Sequence, residues 1–189
     1  LSGQMMFEIN YCASCGSRTE RKVPPGEDRE RDVCSGCDTI FYQNPKVIVG
    51  CLPVHEGRIL LCKRAIEPRY GLWTLPAGFM ENGETTAEGA ARETLEEAAA
   101  VAENLILYRL FDVPQINQIY VFYRCGIASG HYGVGPESLD SQLYDPDELP
   151  WDQLAFPVVK ELLQEFLSDS SSGEFPIRHS VIRHPRPRA

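Results

Sequence analysis

The sequence lacks any apolar run of the roughly 18 or more residues that a membrane-spanning helix requires. Nothing at its N-terminus resembles a signal peptide, so we expect neither a membrane anchor nor a secretory leader. Basic residues are also few, since 18 lysines and arginines stand against 27 aspartates and glutamates and the net charge is −9. These absences predict a cytoplasmic protein without general affinity for nucleic acid.

The cysteines fall into two groups. Four form two Cys-x2-Cys pairs that are 18 residues apart: Cys12, Cys15, Cys34 and Cys37. Their spacing is typical of a structural zinc site, and a disulfide or redox role is the alternative, which a reducing compartment disfavours. Because the sequence between the pairs is polar, zinc would supply most of the folding free energy of a module over residues 6–42. The others lie in apolar runs and are expected to be buried free thiols: Cys51, Cys62 and Cys125.

After the cysteine pairs, we expect one full domain over residues 43–168. The hydrophobic content of the sequence, 43%, is enough to form its core. Apolar runs bounded by turn residues predict four strands: 47–54, 58–64, 103–114 and 118–128. Helical spacing of apolar residues predicts a helix over 156–167. The last segment, 169–189, begins with serines and ends with arginines. It is expected to be a flexible basic tail, with a dimer-stabilising arm as the alternative.

The segment from Gly78 to Ala100 predicts a loop followed by a helix. Thr85 and Glu88 form a capping-box pattern, and good helix formers continue to about Ala98. Glutamates spaced i, i+3 and i+4 share one face of this helix: Glu93, Glu96 and Glu97. Like charges at this spacing are unfavourable, so the face is either solvated or a site for Mg²⁺ or Mn²⁺, cations that bind carboxylates and bridge to phosphates.

This segment resembles the Nudix box, G-x5-E-x7-R-E-U-x-E-E-x-G-U, in which U is aliphatic. The matching positions are Gly78, Glu84, Arg92, Glu93, Glu96 and Glu97. Thr94 departs from the pattern at an aliphatic position, and Ala99 replaces the glycine that would end the helix, so the helix either ends in a strained turn or runs on. The resemblance implies an α/β fold over residues 44–168, the Nudix α/β/α sandwich with a mixed sheet, preceded by the small zinc ribbon.

The resemblance also implies the chemistry of the site. The divalent ions would be held by the carbonyl of Ala77 and by three side chains: Glu93, Glu96 and Glu97. They would supply the positive charge that an acidic chain needs in order to bind an anionic nucleotide. Arg92 would orient the glutamates through charge-assisted hydrogen bonds, and Glu84 would bind metal through water or fix the loop.

The general base and the substrate-stacking residues are less closely defined by the pattern. The general base would be a glutamate of the box or Glu137. The sequence is equally consistent with Glu137 being a surface residue without a catalytic role. Four aromatic residues could stack on substrate rings: Trp73, Phe111, Tyr120 and Phe122. The alternative is that they pack in the hydrophobic core, as aromatic residues of strands commonly do.

Over residues 8–168 the chain resembles the FAD/ADP-ribose pyrophosphatase branch of the family. The cysteine pairs, YQNPKVIVGCLPVHEGRILLCKR, GLWTLPAGFMENGET and GPESLDSQLYDPDELPWDQLAF carry this resemblance. It implies a homodimer that converts FAD to FMN and AMP, or ADP-ribose to ribose 5-phosphate and AMP. NADH pyrophosphatases are the rival, although their SQPWPFPxS segment is absent. An alternative of another class is a zinc ribbon that binds nucleic acid or protein on an inactive Nudix scaffold, against which the intact box argues.

Overall fold

The computed structural model describes residues 8–183 and divides into two compact units after Pro45. The first unit is an antiparallel sheet of three strands: β1 (Thr19–Lys22), β2 (Arg31–Cys34) and β3 (Ile40–Phe41). Strand β2 lies in the middle and pairs with both neighbours. The buried apolar residues of this unit, within 8–45, are Cys12, Pro24, Val33 and Cys34. So small a core agrees with a module that depends on a metal ion for stability.

The second unit contains an eight-stranded mixed sheet. Its strands are β4 (Lys46–His55), β5 (Arg58–Arg64), β6 (Trp73–Thr74), β7 (Ala77–Phe79), β8 (Ala102–Val113), β9 (Gln118–Ile127), β10 (Ser138–Tyr144) and β11 (Arg178–Val181). The order is β10-β5-β4-β9-β8-β11, with β6 paired to β5 and β7 paired to β4. Strands β4 and β9 are parallel, as are β8 and β11, and the other pairs are antiparallel. The four predicted strands are confirmed.

Two helices cover this sheet: α1 (Thr86–Ala98) and α2 (Pro157–Ser172). Along β5, Leu60 belongs to the same buried cluster as Ala98 of α1, whereas Ile59 and Leu61 belong to the cluster of Leu162 of α2. Because successive residues of a strand point to opposite faces, the helices lie on opposite faces of the sheet. The predicted α/β/α sandwich is confirmed. None of the helices in residues 8–183 has the length and apolarity to cross a membrane.

The ends of α1 follow from its sequence. The hydroxyl of Thr85 accepts from the backbone N–H of Glu88 at 3.2 Å, and the Glu88 carboxylate accepts from the N–H of Thr85 at 2.8 Å, which is the predicted capping box. At the other end Ala99 takes a left-handed conformation, with φ 47° and ψ 29°, and its N–H donates to the carbonyl of Leu95. The helix therefore ends at the strained turn rather than running on.

Two segments differ from the sequence prediction. Residues 138–144, for which no strand was predicted, form β10 because the edge of β5 offers backbone partners to a sequence without apolar alternation. The expectation of a flexible tail from residue 169 is wrong for residues 169–183. Helix α2 continues to Ser172, Phe175 packs on the core and β11 pairs with β8. Residues 184–189 lie outside the described part of the chain.

A buried ionic network fastens this C-terminal segment. Arg109 of β8 is fully buried and pairs with Glu165 and Asp169 of α2. Asp169 also accepts hydrogen bonds from the Tyr108 hydroxyl at 2.7 Å and from Arg178 of β11 at 2.8 Å. Burial would raise the pKa of Asp169, but the hydrogen bonds from Tyr108, Arg178 and Arg109 hold it below its ordinary value. The carboxylate of Asp169 on α2 therefore links β8 to β11.

Replacing Arg109 tests this network. Arg109→Met keeps an apolar stem of similar length but leaves Asp169 and Glu165 without their buried partner, which costs about 3 kcal/mol of unfolding free energy. For a chain of this size we expect the melting temperature to fall by roughly 6–12 °C. Arg58→Met removes an exposed ion pair with Glu56 and should shift it by less than about 2 °C. Equal melting temperatures for the two variants would contradict a stabilising role for the network.

Candidate active site

The acidic face of α1 is organised around one arginine. The guanidinium of Arg92 pairs with Glu84 at 2.8 Å, Glu93 at 2.7 Å and Glu96 at 3.0 Å. It also donates to the carbonyl of Phe79 at 3.1 Å. These bonds, with Glu84 foremost, raise the pKa of Arg92, while Arg92 lowers the pKa of Glu84 to about 2. One permanent cation thus fixes three of the glutamates singled out from the sequence.

Two of the glutamates are buried, Glu93 at 9% exposure and Glu97 at 6%. Glu97 accepts one hydrogen bond from the backbone N–H of Ala77 at 3.3 Å, and no cation within residues 8–183 forms an ion pair with it. Burial raises the pKa of Glu97 to about 8, and the charge of Glu93 adds to the rise. Burial also raises the pKa of Glu93. Two buried carboxylates share the one cation Arg92, so a divalent metal ion would supply the positive charge that they lack.

Two glycines allow the backbone to approach α1 closely, Gly78 at a carboxylate and Gly135 at the helix backbone. A Cβ atom on Gly78 would overlap the carboxylate of Glu93, and a Cβ atom on Gly135 would overlap the carbonyl oxygen of Glu96. Gly78 belongs to the box pattern, whereas sequence reasoning missed Gly135. The only signal for Gly135 was the Gly-Val-Gly run in the loop between β9 and β10, which did not reveal that the loop closes on α1.

That loop carries the candidate base. The N–H groups of Gly133 and Gly135 donate to the carbonyls of Ala98 and Glu97 at 2.6 and 3.0 Å, so the loop is fastened to the end of α1. The next residues lead to Glu137, whose carbonyl accepts from the N–H of Ala65 at 2.8 Å. The Glu137 side chain is exposed, and its charge contributes to the raised pKa of Glu97. The structure thus brings Glu137 within electrostatic reach of the buried carboxylates.

The aromatic residues predicted to stack on the substrate lie in or beside the hydrophobic core under α2, not at the acidic face of α1. Three of them belong to the buried cluster between the sheet and α2: Trp73, Phe111 and Phe122. They are at most 5% exposed because they lie on the strand face that α2 covers, so their rings are not open to a substrate. Tyr120 packs at the edge of the same cluster and remains half-buried. Of the four candidates, Tyr120 alone keeps accessible surface.

The four paired cysteines form a second site, in the first unit. Their sulfur atoms all lie within 4.8 Å of one another. The Sγ atoms of Cys12 and Cys37 are 3.7 Å apart, and those of Cys15 and Cys34 are 3.4 Å apart. Ligand atoms of a tetrahedron with 2.3 Å Zn–S bonds are about 3.8 Å apart, so this donor set fits zinc. The other three cysteines are buried free thiols, as predicted.

Comparison with known proteins finds a family model for each unit of the chain. A family model described as the NUDIX domain matches residues 44–166, and one described as the Nudix N-terminal zinc ribbon matches residues 10–43. The fold and its acidic helix are therefore those of a Nudix pyrophosphohydrolase, and the chain belongs to the Nudix family. A crystal structure of a NUDIX hydrolase from Nitrosomonas europaea is 43% identical, with a TM-score of 0.89, and the match covers 93% of this chain and 100% of that one.

Two curated relatives have names that state an activity. An ADP-ribose pyrophosphatase of Methanocaldococcus jannaschii is 29% identical over 131 residues, which are 66% of this chain and 76% of the relative. The NAD-capped RNA hydrolase NudC of Salmonella paratyphi C is 28% identical over 158 residues, 82% of this chain. Those residues are 59% of that relative, so the chain spans less than two thirds of its length.

Proposed function

We propose that this chain uses Mg²⁺ or Mn²⁺ to hydrolyse the diphosphate bond of a nucleoside diphosphate derivative. The preferred substrates are FAD, giving FMN and AMP, and ADP-ribose, giving ribose 5-phosphate and AMP. The observation that carries the proposal is the buried Glu93–Glu97 pair beside a single arginine. Similarity to an ADP-ribose pyrophosphatase supports the substrate class.

Each residue of the site has a distinct part in this proposal. The metal ligands are the carbonyl of Ala77 and the carboxylates of three residues: Glu93, Glu96 and Glu97. A bound divalent ion neutralises phosphate oxygens and acidifies water. Arg92 is a positioning residue, because its bonds to Glu84, Glu93 and Glu96 hold these carboxylates in place. Glu84, whose pKa is low, stays ionised and ties the loop before α1 through the N–H of Glu81 at 2.7 Å.

The general base of the proposed reaction is Glu137 or a glutamate of the box. Glu137 is exposed on a loop that hydrogen bonds to the end of α1, and it carries no ion pair among the described residues. It could therefore accept a proton from a water molecule at the mouth of the site. The box glutamates are engaged with Arg92 or buried, which leaves them better suited to hold metal.

A second candidate substrate class is NADH or NAD-capped RNA. The similarity to NudC over 82% of the chain, with the ribbon included, favours it. The net charge of −9 opposes RNA binding, because an acidic chain repels a polyanion. The alternative of a binding module on an inactive scaffold has no support, because Arg92 and the glutamates are assembled around one another.

A substrate panel tests the proposal. FAD, ADP-ribose, NADH and an NAD-capped RNA are incubated with the protein and Mg²⁺ or Mn²⁺, and the products are separated by chromatography. We expect AMP with FMN or ribose 5-phosphate, and no product after the ions are removed with EDTA. Reduced NMN or a 5′-monophosphate RNA as the dominant product would move the assignment to the second class. Absence of product from every compound would refute the hydrolase proposal.

The compartment and the assembly belong to the proposal as well. Three buried free thiols and a zinc-type cysteine cluster suit a reducing compartment, which supports a cytoplasmic enzyme. The family resemblance supports a homodimer. Light scattering after size exclusion would give a mass near 42 kDa for a dimer, about twice the 21.2 kDa of one chain.

A further inference from the structure

A hollow opens on the face of the sheet that carries α2, away from the acidic helix. Cys125 of β9 belongs to the buried cluster that includes part of α1, so its neighbours Arg124 and Gly126 point to the opposite face. Gly126 pairs with Val54 of β4 on one side and with Glu103 of β8 on the other. Because Gly126 has no side chain, the space between these two partners stays open. A glycine inside a strand often marks a place where a ligand approaches the backbone closely.

The hollow is a cavity of about 280 Å³. Its lining includes Val54, Gly126 and Arg124, together with Asn104 and Ile106 of β8. Ile106 is 53% exposed at the rim, so the cavity opens to solvent. Two of its strands contribute apolar walls, and the strand between them contributes a cation. Sites for drug-sized ligands begin at about 300 Å³, so this cavity suits a smaller molecule.

The cation that lines the cavity has no anionic partner. Within residues 8–183 no carboxylate forms an ion pair with Arg124, and its Nε is buried without a hydrogen-bond acceptor. Its guanidinium carbon lies 4.0 Å from the ring centre of Phe175, whose ring packs on Phe166 of α2 with 5.8 Å between centres. The aromatic pair therefore holds the planar head in place. Its terminal N–H groups find no acceptor in the described chain and are free to donate to a carboxylate.

A carboxylate of the protein lies on the other side of the hollow. A Cβ atom on Gly126 would be 3.3 Å from both Cγ and Oε1 of Glu103, so the Glu103 side chain leans over the glycine. The strand register places Glu103 on the same face as Arg124, yet the two side chains do not form an ion pair. Opposite charges thus flank Gly126 without meeting. A simple anion would be attracted by one and repelled by the other, whereas a ligand that carries both charges would satisfy both.

We propose that this cavity binds an α-amino acid with an apolar side chain. The carboxylate of the ligand would accept two N–H groups from Arg124, and its ammonium group would donate to Glu103. Its side chain would lie against Val54 and Ile106 and remove apolar surface from water. The site is on the opposite face of the sheet from α1 and requires neither metal nor nucleotide. It is therefore an effector site separate from the proposed hydrolase site.

Titration calorimetry with leucine tests the proposal, and two analogues separate its charges. Isocaproate keeps the carboxylate and the apolar body of leucine but lacks the ammonium group. Isopentylamine keeps the ammonium group and lacks the carboxylate. Each analogue should bind at least about tenfold more weakly than leucine, because it leaves one charge of the protein without a partner.

Three variants assign the binding to this cavity. Arg124→Met keeps an apolar stem beside Phe175 and should weaken leucine by roughly ten- to a hundredfold, the range of a charged hydrogen bond. Glu103→Gln should weaken leucine by several-fold and leave isocaproate unweakened. Gly126→Val fills the hollow and should abolish binding. Lys160→Met removes an exposed cation from the first half of α2 and is the control, which should bind leucine as the wild type does.

Absence of leucine binding by the wild type would overturn the proposal, as would wild-type affinity in Arg124→Met. Equal affinities of leucine and isocaproate would overturn the pairing of the ammonium group with Glu103. If Arg124→Met does not fold, Arg124→Lys replaces it, since it keeps the charge but loses the planar fork. A loss of several-fold is then expected, and wild-type affinity would overturn the assignment.

Amide NMR signals locate the ligand independently of affinity. Addition of leucine should shift the signals of Gly126 and Ile106 and leave those of α1 in place. Shifts confined to α1 would put the amino acid at the acidic face and overturn the proposal. None of these measurements requires hydrolysis, so failure of the proposed function leaves this test intact.

Discussion

Glu97→Gln is expected to lower kcat/KM by about a thousandfold, equivalent to about 4 kcal/mol of transition-state stabilisation. The amide keeps the shape of the side chain and can still accept the hydrogen bond from the N–H of Ala77. It lacks the negative charge that a divalent ion needs from its ligands. Turnover of the best substrate from the panel, measured over a range of Mn²⁺ concentrations, should show a large loss that added metal does not restore.

The same substitution should not weaken the metal-free fold. Burial raises the pKa of Glu97 to about 8 in the folded state. Between the ordinary glutamate pKa and pH 8, Glu97 is therefore protonated in the folded protein and ionised in the unfolded chain. A raised carboxyl pKa lowers stability as pH rises from that ordinary value to about 8. Glu97→Gln removes this loss, so its melting temperature in EDTA at pH 8 should equal or exceed that of the wild type.

Glu161→Gln provides a matched control for both measurements, because Glu161 is an exposed glutamate on α2, the helix on the opposite face of the sheet. It should retain wild-type turnover and wild-type melting. Near wild-type activity of Glu97→Gln would remove Glu97 from the metal site. A melting temperature well below that of the wild type would mean that the loss of activity reflects a damaged fold.

The parts of this protein that could be predicted from the sequence are those encoded by nearby residues. The capping box of Thr85 and Glu88 requires contacts only three residues apart, and the spacing of Glu93 and Glu97 places both on one helix face. The two Cys-x2-Cys pairs are local in the same sense, since each pair forms one turn. In these cases local geometry leaves few alternatives.

The parts that could not be predicted depend on partners distant in sequence. Strand β10 forms because β5 offers an unpaired edge, and β11 forms because Asp169 and Arg109 hold the segment that precedes it. Burial of Phe111 and its neighbours depends on where α2 lies, which strand periodicity does not reveal. Arg64 shows the same limit. Its sequence position at a strand end says nothing of Phe156, more than 90 residues later, against which it stacks.

Cys34→Ser is expected to remove the structural metal and to unfold the first unit while leaving the second folded. Cys34 is fully buried, and its sulfur accepts hydrogen bonds from the N–H groups of Gly36 and Cys37 at 3.3 Å each, so it is the most enclosed of the four sulfurs. Few apolar residues of this unit are buried, and structural zinc in comparable small modules contributes about 10–16 kcal/mol of apparent binding free energy. Zinc content, measured by atomic emission, should fall from about one ion per chain to nearly none.

The decisive readout is hydrogen exchange, because it reports the two units separately. Amides of β1 and β2 should lose protection in Cys34→Ser, whereas those of β4 and β9 should keep it, since the second unit has its own core. Hydrolysis should fall far less than in Glu97→Gln. Cys62→Ala removes a buried thiol of the second unit and should retain zinc. Full zinc content in Cys34→Ser would refute the four-cysteine site. Loss of protection throughout β4 and β9 would instead show that the second unit cannot hold its fold without the metal-bound ribbon.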